Sequence, residues 1–142
     1  MSLGIKQPAG PSDTRKKPRV LFVDDEAGLV SAVVRRLKLR DIAARGATSS
    51  LDALREIEEA TFDVAVLDVR MPDIGGLDML RRFRDQYPDM AVVLMSGHGS
   101  VENVEEGERL GAFDYLQKPV EIEDLLAVIL KAVDQRKGAA HE

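Results

Sequence analysis

The sequence predicts a doubly wound α/β domain, in which a parallel β-sheet carries helices on both faces. Short apolar runs of strand length alternate with longer segments of helical periodicity in the order βαβαβαβαβα. The strongest runs are apolar at every position, as expected for strands that are buried on both faces of a sheet. Two of these runs end directly in acid, one at Asp24-Asp25 and the other at Asp68. Ligand sites in this fold class lie beyond the carboxyl ends of the strands, so these acids mark the expected site.

The first half of the chain supplies two strands and two helices. Residues 20–23 form the first strand, and the weaker run 43–47 forms the second. Each strand is followed by an apolar stripe of helical spacing. The first stripe contains Leu29, Val30, Val33, Val34 and Leu37, and the second contains Leu51, Leu54 and Ile57.

The second half repeats this pattern three times. Residues 64–67 and 91–95 are strong strands, and 115–116 is a weak one. Pro72 and Gly75-Gly76 precede the third helix, and Gly111 follows the fourth. The third helical stripe contains Leu77, Leu80 and Phe83, and the last contains Ile122, Leu125, Leu126, Ile129 and Val133.

Length and composition indicate one domain. At 142 residues and 44% apolar content, the chain is long enough for a single buried core. Residues 1–17 are rich in Gly, Pro and polar side chains and are expected to form a disordered tail. The domain is expected to span residues 18–137, with a second tail at 138–142 where the helical pattern stops.

Charge and hydropathy exclude several classes of function. The net charge of −5 gives no general attraction to nucleic acid, so direct DNA binding by this segment is not expected. The sequence has no cysteine, which excludes disulfides and thiolate metal sites. The longest apolar run, residues 125–130, is far shorter than the roughly 20 residues of a membrane span, and no signal-peptide core precedes the domain. We therefore expect a cytoplasmic protein that does not contact membranes.

The acids at the strand ends predict a cation site. If the two acid-tipped strands are neighbours, Asp24, Asp25 and Asp68 meet at one edge of the sheet. Crowded carboxylates repel each other, so such a site must hold a proton or bind a cation, and an all-oxygen cluster suits Mg²⁺. Asp24-Asp25 has an alternative interpretation, because aspartate is also a favoured cap for the helix that begins near Glu26.

Two further polar residues follow the other strands. Ser96 follows the fourth strand, where it could be an ordinary loop hydroxyl, and Lys118 follows the fifth, where it could be a solvated surface lysine. Considered separately, Ser96 is best explained as a loop hydroxyl and Lys118 as a surface lysine. Together with the acids they place functional groups at four strand ends of one sheet, which favours a shared site.

These residues carry a family resemblance that covers residues 19–137. The set of motifs resembles the receiver domain of bacterial two-component response regulators (CheY-like), and most resembles its NtrC-type branch. The resemblance implies a flavodoxin-like (βα)5 fold with strand order 2-1-3-4-5. The matching motifs, in chain order, are Asp24-Asp25, Asp68 with Met71-Pro72 and Gly76, Ser96-Gly97-His98-Gly99, and Phe113-Asp114-Tyr115-Leu116-Gln117-Lys118-Pro119.

The resemblance implies a phosphoacceptor and a metal site. Asp68 would accept the phosphoryl group. Asp25 would be a direct ligand of Mg²⁺ (or Mn²⁺), and Asp24 would bind the ion directly or through water. Asp68 and the backbone carbonyl of Arg70 would complete the protein's share of the metal shell.

The resemblance also implies a switch. Ser96 would bond one oxygen of the phosphoryl group and Lys118 would pair with another. Tyr115 would be the aromatic residue whose side chain changes rotamer when the phosphoryl group is present. The Lys118-Pro119 peptide bond is cis in typical receivers, whereas trans is the general preference.

The implied function is a signalling phosphoacceptor, not an enzyme. Its partners would be a sensor histidine kinase or a phosphotransfer protein, a downstream output domain or effector, and in some arrangements a second copy of the chain. The chain is either a free-standing regulator or phosphorelay intermediate, or the receiver of a longer transcription regulator.

The sequence lacks the residues that two alternative functions would require. A haloacid-dehalogenase-type hydrolase, which also forms an aspartyl phosphate, would need a second acid where the chain has Arg70. A nucleotide-binding enzyme would need glycines after the first strand, where Asp24-Asp25-Glu26 stands.

Overall fold

The computed structural model describes residues 17–97 and 101–140 and contains five strands and five helices in strict alternation. Every predicted strand and helix is present, including the two weak strands. The elements are β1 Arg19–Val23, α1 Ala27–Lys38, β2 Ala43–Ala47, α2 Ser50–Glu59, β3 Val64–Asp68, α3 Gly76–Gln86, β4 Ala91–Ser96, α4 Val101–Arg109, β5 Asp114–Gln117 and α5 Ile122–Ala140.

The strands form one parallel sheet in the order β2-β1-β3-β4-β5, which confirms the predicted fold class and strand order. The register pairs Val23 of β1 with Leu67 of β3, and Asp68 of β3 with Met95 of β4. The carboxyl ends of these three strands therefore lie level with one another. This register places the residues that follow β1 beside the last residue of β3.

The core lies in two layers, one on each face of the sheet. Alternate strand residues such as Leu21 and Leu94 pack with α2 and α3, and Phe22 and Val66 on the other face pack with α1 and α5. All four apolar residues of β1 at positions 20–23 are at most 1% exposed. This double burial explains why the sequences of the central strands are apolar without alternation.

One predicted boundary is wrong, because the last helix does not end at Lys137 but continues to Ala140. Gly138 weakens a helix by only about 1 kcal/mol relative to alanine, and the two alanines that follow it are the best helix formers. The expected carboxyl-terminal tail at 138–142 is therefore helical through Ala140. Apart from Lys17, the predicted amino-terminal tail lies outside the described residues, as do His141 and Glu142.

The chain has no membrane-spanning helix within residues 17–97 and 101–140, where none combines the necessary length and apolarity.

Candidate functional site

Three carboxylates meet at the carboxyl edge of the sheet, as the sequence predicts. Asp24, Asp25 and Asp68 each offer an oxygen atom, and these atoms all lie within 4.8 Å of one another. Asp24 and Asp68 are buried, whereas Asp25 is exposed to solvent. The cause is the sheet order, because β1 and β3 are hydrogen-bonded neighbours although 40 residues separate their sequences.

Lys118 reaches into this cluster from the end of β5. Its Nζ lies 2.7 Å from Asp24 Oδ2 and 3.1 Å from Asp68 Oδ2, so one ammonium group bridges the two buried carboxylates. The Lys118 backbone N–H donates to the carbonyl of Ser96 at 2.8 Å, which holds the backbone of Lys118 beside the end of β4. The peptide bond that follows, Lys118-Pro119, is cis.

The other oxygen of each buried carboxylate is held by the backbone. Asp24 Oδ1 accepts from the N–H of Glu26 at 2.9 Å, and Asp68 Oδ1 accepts from the N–H of Arg70 at 3.0 Å. Glu26 itself is the N-cap residue of α1, and its side chain makes no capping hydrogen bond within the described part of the chain. Asp24 thus holds the turn before α1 and does not cap the helix, since its bond is to the N–H of the cap residue itself and its other oxygen accepts from Lys118.

The electrostatics of the cluster are visible in its pKa values. Burial raises the pKa of the Asp68 carboxyl above its ordinary value, and the hydrogen bonds from Arg70 and Lys118 oppose this rise only in part. Burial alone would lower the pKa of Lys118, but its hydrogen bonds to Asp24 and Asp68 outweigh burial and raise it. Lys118 therefore stays protonated, and ionising Asp68 costs free energy.

Replacing Asp68 with asparagine is expected to stabilise the fold at neutral pH. An acid whose pKa is raised by folding stabilises the protein below its unfolded pKa, and this contribution is lost as the pH rises through the folded pKa. The free energy of unfolding of Asp68→Asn should thus exceed that of the wild type at pH 7, and the difference should shrink as the pH falls toward the ordinary aspartate value of 3.8. Urea denaturation over a pH series measures this difference. If the difference in the free energy of unfolding instead grew toward low pH, the pKa of Asp68 would not be raised by folding.

Ser96 and Tyr115 lie on the strands beside the cluster. Ser96 is the last residue of β4 and is buried, next to the pair that Asp68 makes with Met95. Tyr115 pairs with Leu94 in the sheet and packs against the core layer beneath α2 and α3. Its hydroxyl is buried and has no hydrogen-bond partner among the described residues. His98 and Gly99 of the predicted motif lie outside the described residues.

The cluster fits a hard divalent cation. Its donors are all carboxylate oxygens, with no sulfur or imidazole ligand in the set, and hard cations prefer oxygen ligands. Asp25 is exposed and is therefore accessible from solvent, while the two buried acids are already oriented by the backbone. The backbone of Arg70 runs in the loop directly after Asp68, and its side chain is exposed.

Two residues that hold the loop beside the site were not predicted from the sequence. Asp73 and Ser50 join the loop after Asp68 to the start of α2 through hydrogen bonds of 2.6–3.2 Å. Ser50 is fully buried, yet in the sequence it is one serine beside another. The available signal was Asp73 in a turn after Met71-Pro72, but no sequence pattern identifies a partner more than 20 residues away.

Comparison with known proteins gives a consistent result. Residues 20–130 match the family model described as "Response regulator receiver domain". The chain is 32% identical over 118 residues to the DNA-binding transcriptional regulator NtrC of Proteus hauseri, an alignment that covers 83% of this chain and 25% of NtrC. It is 35% identical over 122 residues to the transcriptional regulatory protein PrrA of Mycobacterium leprae, covering 86% of this chain and 52% of PrrA.

A solved structure supports the same similarity. The crystal structure of a response regulator receiver domain protein from Clostridium thermocellum superposes with a TM-score of 0.80 at 34% identity. That comparison covers 84% of this chain and 97% of the other. By contrast, the chain spans only a quarter of NtrC and about half of PrrA, so the similarity concerns one domain of those longer proteins.

Proposed function

The chain belongs to the response regulator receiver domain family, and on this basis we propose that Asp68 is its phosphoacceptor and that Asp24, Asp25, Ser96 and Lys118 assist the transfer. The observation that carries the proposal is the arrangement around Asp68. Its carboxylate ends a central strand, lies within 4.8 Å of two further carboxylate oxygens, and contacts an ammonium group at 3.1 Å.

Asp68 acts as a nucleophile in this proposal. A carboxylate oxygen attacks the phosphorus atom of the donor, and the bond between phosphorus and the leaving atom breaks, so that an acyl phosphate forms on the aspartate. Such transfers pass through a loose transition state, and catalysis is largely a matter of positioning and electrostatics. The Arg70 N–H orients the Asp68 carboxylate, and the Lys118 ammonium, which contacts Asp68 at 3.1 Å, would pair with an oxygen of the incoming group.

We propose Mg²⁺, or Mn²⁺ in its place, as the cofactor. Asp25, Asp24, Asp68 and the backbone carbonyl of Arg70 would hold the ion. When bound, it would supply the positive charge that offsets the repulsion between the acid cluster and an anionic phosphate. Lys118 alone cannot do this, because its one positive charge faces the charges of three aspartates.

The switch residues would convert the modification into a surface change. A phosphoryl group on Asp68 would draw the Ser96 hydroxyl into a charge-assisted hydrogen bond. Tyr115 would then change rotamer on the neighbouring strand. The Ser96 hydroxyl that moves toward the phosphoryl group would vacate space that the Tyr115 side chain can fill, and the buried Tyr115 hydroxyl has no hydrogen bond among the described residues that such a rotation would break.

The proposed partners follow from family membership. A sensor histidine kinase or a phosphotransfer protein would donate the phosphoryl group, and an output domain, an effector or a second copy of the chain would receive the signal. The chain would act as a cytoplasmic signalling phosphoacceptor and not as a turnover enzyme, without direct contact to nucleic acid or membranes. Both a free-standing regulator and the receiver of a longer transcription regulator are compatible with a domain whose last helix continues to Ala140.

Phosphorylation by a small phosphodonor tests the proposal. We expect acetyl phosphate in the presence of Mg²⁺ to add one phosphoryl group to the protein, as measured by intact-mass spectrometry. With excess chelator the rate should fall by more than roughly 100-fold, the loss typical of removing an important electrostatic contact from a transfer site. Restoring Mg²⁺ in excess over the chelator should restore the rate. Rapid phosphorylation in the chelator would contradict the cofactor assignment, and no mass gain under any condition would contradict the function.

A further inference from the structure

The start of α2 is held by a residue that lies beyond the next strand. Asp73 Oδ1 accepts from the N–H of Ser50 at 3.2 Å, and Asp73 Oδ2 accepts from the N–H of Leu51 at 3.0 Å. In return, the Ser50 hydroxyl donates to the carbonyl of Ile74 at 2.6 Å. These three hydrogen bonds form a clamp between the loop that follows β3 and the first turn of α2.

The clamp bonds two N–H groups of the first turn of α2 that the helix's own cap residue does not reach. The helix has its own N-cap residue, Ser49, whose hydroxyl accepts from the N–H of Asp52 at 3.0 Å. Desolvation would raise the pKa of Asp73, but the hydrogen bonds from Leu51 and Ser50 outweigh it and lower that pKa. Asp73 is thus ionised, and it ties the first turn of α2 to a loop outside the helix, which Ser49 does not.

The same loop carries the groups that orient the phosphoacceptor. It begins at Val69, whose N–H donates to the carbonyl of Met95 at 2.8 Å, and it closes where the N–H of Gly76 donates to the carbonyl of Val69 at 2.9 Å. Between these anchors lies Arg70, whose N–H holds Asp68. The clamp therefore fixes the carboxyl-terminal end of a short loop, at Asp73 and Ile74. Arg70, near the other end of the loop, bonds the Asp68 carboxylate.

We propose that Asp73 is a positioning residue for the acid cluster, which ties the loop of residues 69–75 to α2 and so fixes the backbone of Arg70. This inference rests on the proposed function, because it concerns the Arg70 carbonyl as a metal ligand and the Arg70 N–H as the group that orients Asp68. Residues that orient the ligands of a metal from outside commonly change metal affinity by 10- to 100-fold when they are replaced.

Two alanine variants separate positioning from capping. Asp73→Ala removes the clamp, whereas Ser49→Ala removes the cap of the same helix without touching the loop. We expect both variants to lose stability, and only Asp73→Ala to weaken Mg²⁺ binding, by roughly tenfold in a calorimetric titration without phosphodonor. Asp73→Asn keeps one acceptor oxygen and should lie between Asp73→Ala and the wild type, which preserves the test if the alanine variant fails to fold.

A second readout needs no metal. Amide hydrogen exchange at Arg70 should be faster in the Asp73 variants than in the wild type and unchanged in Ser49→Ala, since only the former release the loop. Equal Mg²⁺ affinities and equal Arg70 exchange in the Asp73 variants and Ser49→Ala would overturn the inference while leaving the proposed function intact. A wild-type protein that neither binds Mg²⁺ nor accepts a phosphoryl group would overturn both.

Discussion

Asp68→Asn is expected to gain no mass from acetyl phosphate and Mg²⁺ under conditions in which the wild-type protein gains one phosphoryl group. The asparagine amide keeps the shape of the side chain, but it lacks the carboxylate oxygen that attacks phosphorus. We expect neither neighbouring acid to replace it, because Asp24 and Asp25 both follow β1 and, in the proposed site, would be engaged as ligands of the cation. Intact-mass spectrometry over a time course measures the loss.

The matched control is Asp85→Asn, which removes an exposed carboxylate from α3 and leaves the strand ends unchanged. This variant should gain the phosphoryl group at the wild-type rate. If Asp68→Asn and the wild type gained equal mass, another residue would be the acceptor and the central assignment would be wrong. Peptide mapping of the adduct would then identify that residue.

Gly76→Ala is expected to lower the free energy of unfolding by about 2–4 kcal/mol, in the upper range of steric substitutions in a packed interior. A β-carbon at position 76 would lie 2.6 Å from the carbonyl oxygen of Asp68 and 2.6 Å from the α-carbon of Val69. Both neighbours are backbone atoms and cannot rotate away. Either α3 or the end of β3 must move, so the initial rate of phosphorylation should also fall.

Gly75→Ala is the control for this substitution. The nearest atom to a β-carbon at position 75 is the carbonyl oxygen of Val69 at 3.9 Å, and the backbone φ of −64° suits alanine. Its stability should lie within about 1 kcal/mol of the wild type, because alanine also reduces the entropy of the unfolded chain. Chemical denaturation of both variants tests the difference. Equal stabilities would show that the contact at Gly76 relaxes without cost.

Much of the fold could be read from local pattern. The apolar runs at 20–23 and 64–67 predict strands because a chain segment buried on both faces of a sheet has no polar positions. The alternation with helical stripes then limits the topology to a doubly wound sheet. The end of α5 was predicted wrongly, since a single glycine in a run of good helix formers is a weak stop signal and Ala140 remains helical.

The sequence predicts which residues lie at the site but not how they contact one another. Asp24, Asp25 and Asp68 could be placed together, because parallel strands bring their carboxyl ends to one edge of the sheet. The specific contacts could not be predicted, since side-chain geometry depends on packing. Lys118 bridges Asp24 and Asp68, which lie 94 and 50 residues away from it in sequence.

The sequence by itself determined the fold class, the strand order through a family resemblance, and the residue types at the strand ends. Tertiary structure alone decided that one lysine bridges two carboxylates, that Asp73 bonds a helix 22 residues earlier in the chain, and that Gly76 is pressed against the backbone of Asp68. Local patterns record whether a residue is buried and which backbone conformation it favours. Contacts between distant residues arise only when strands and helices pack, and no local pattern contains that information.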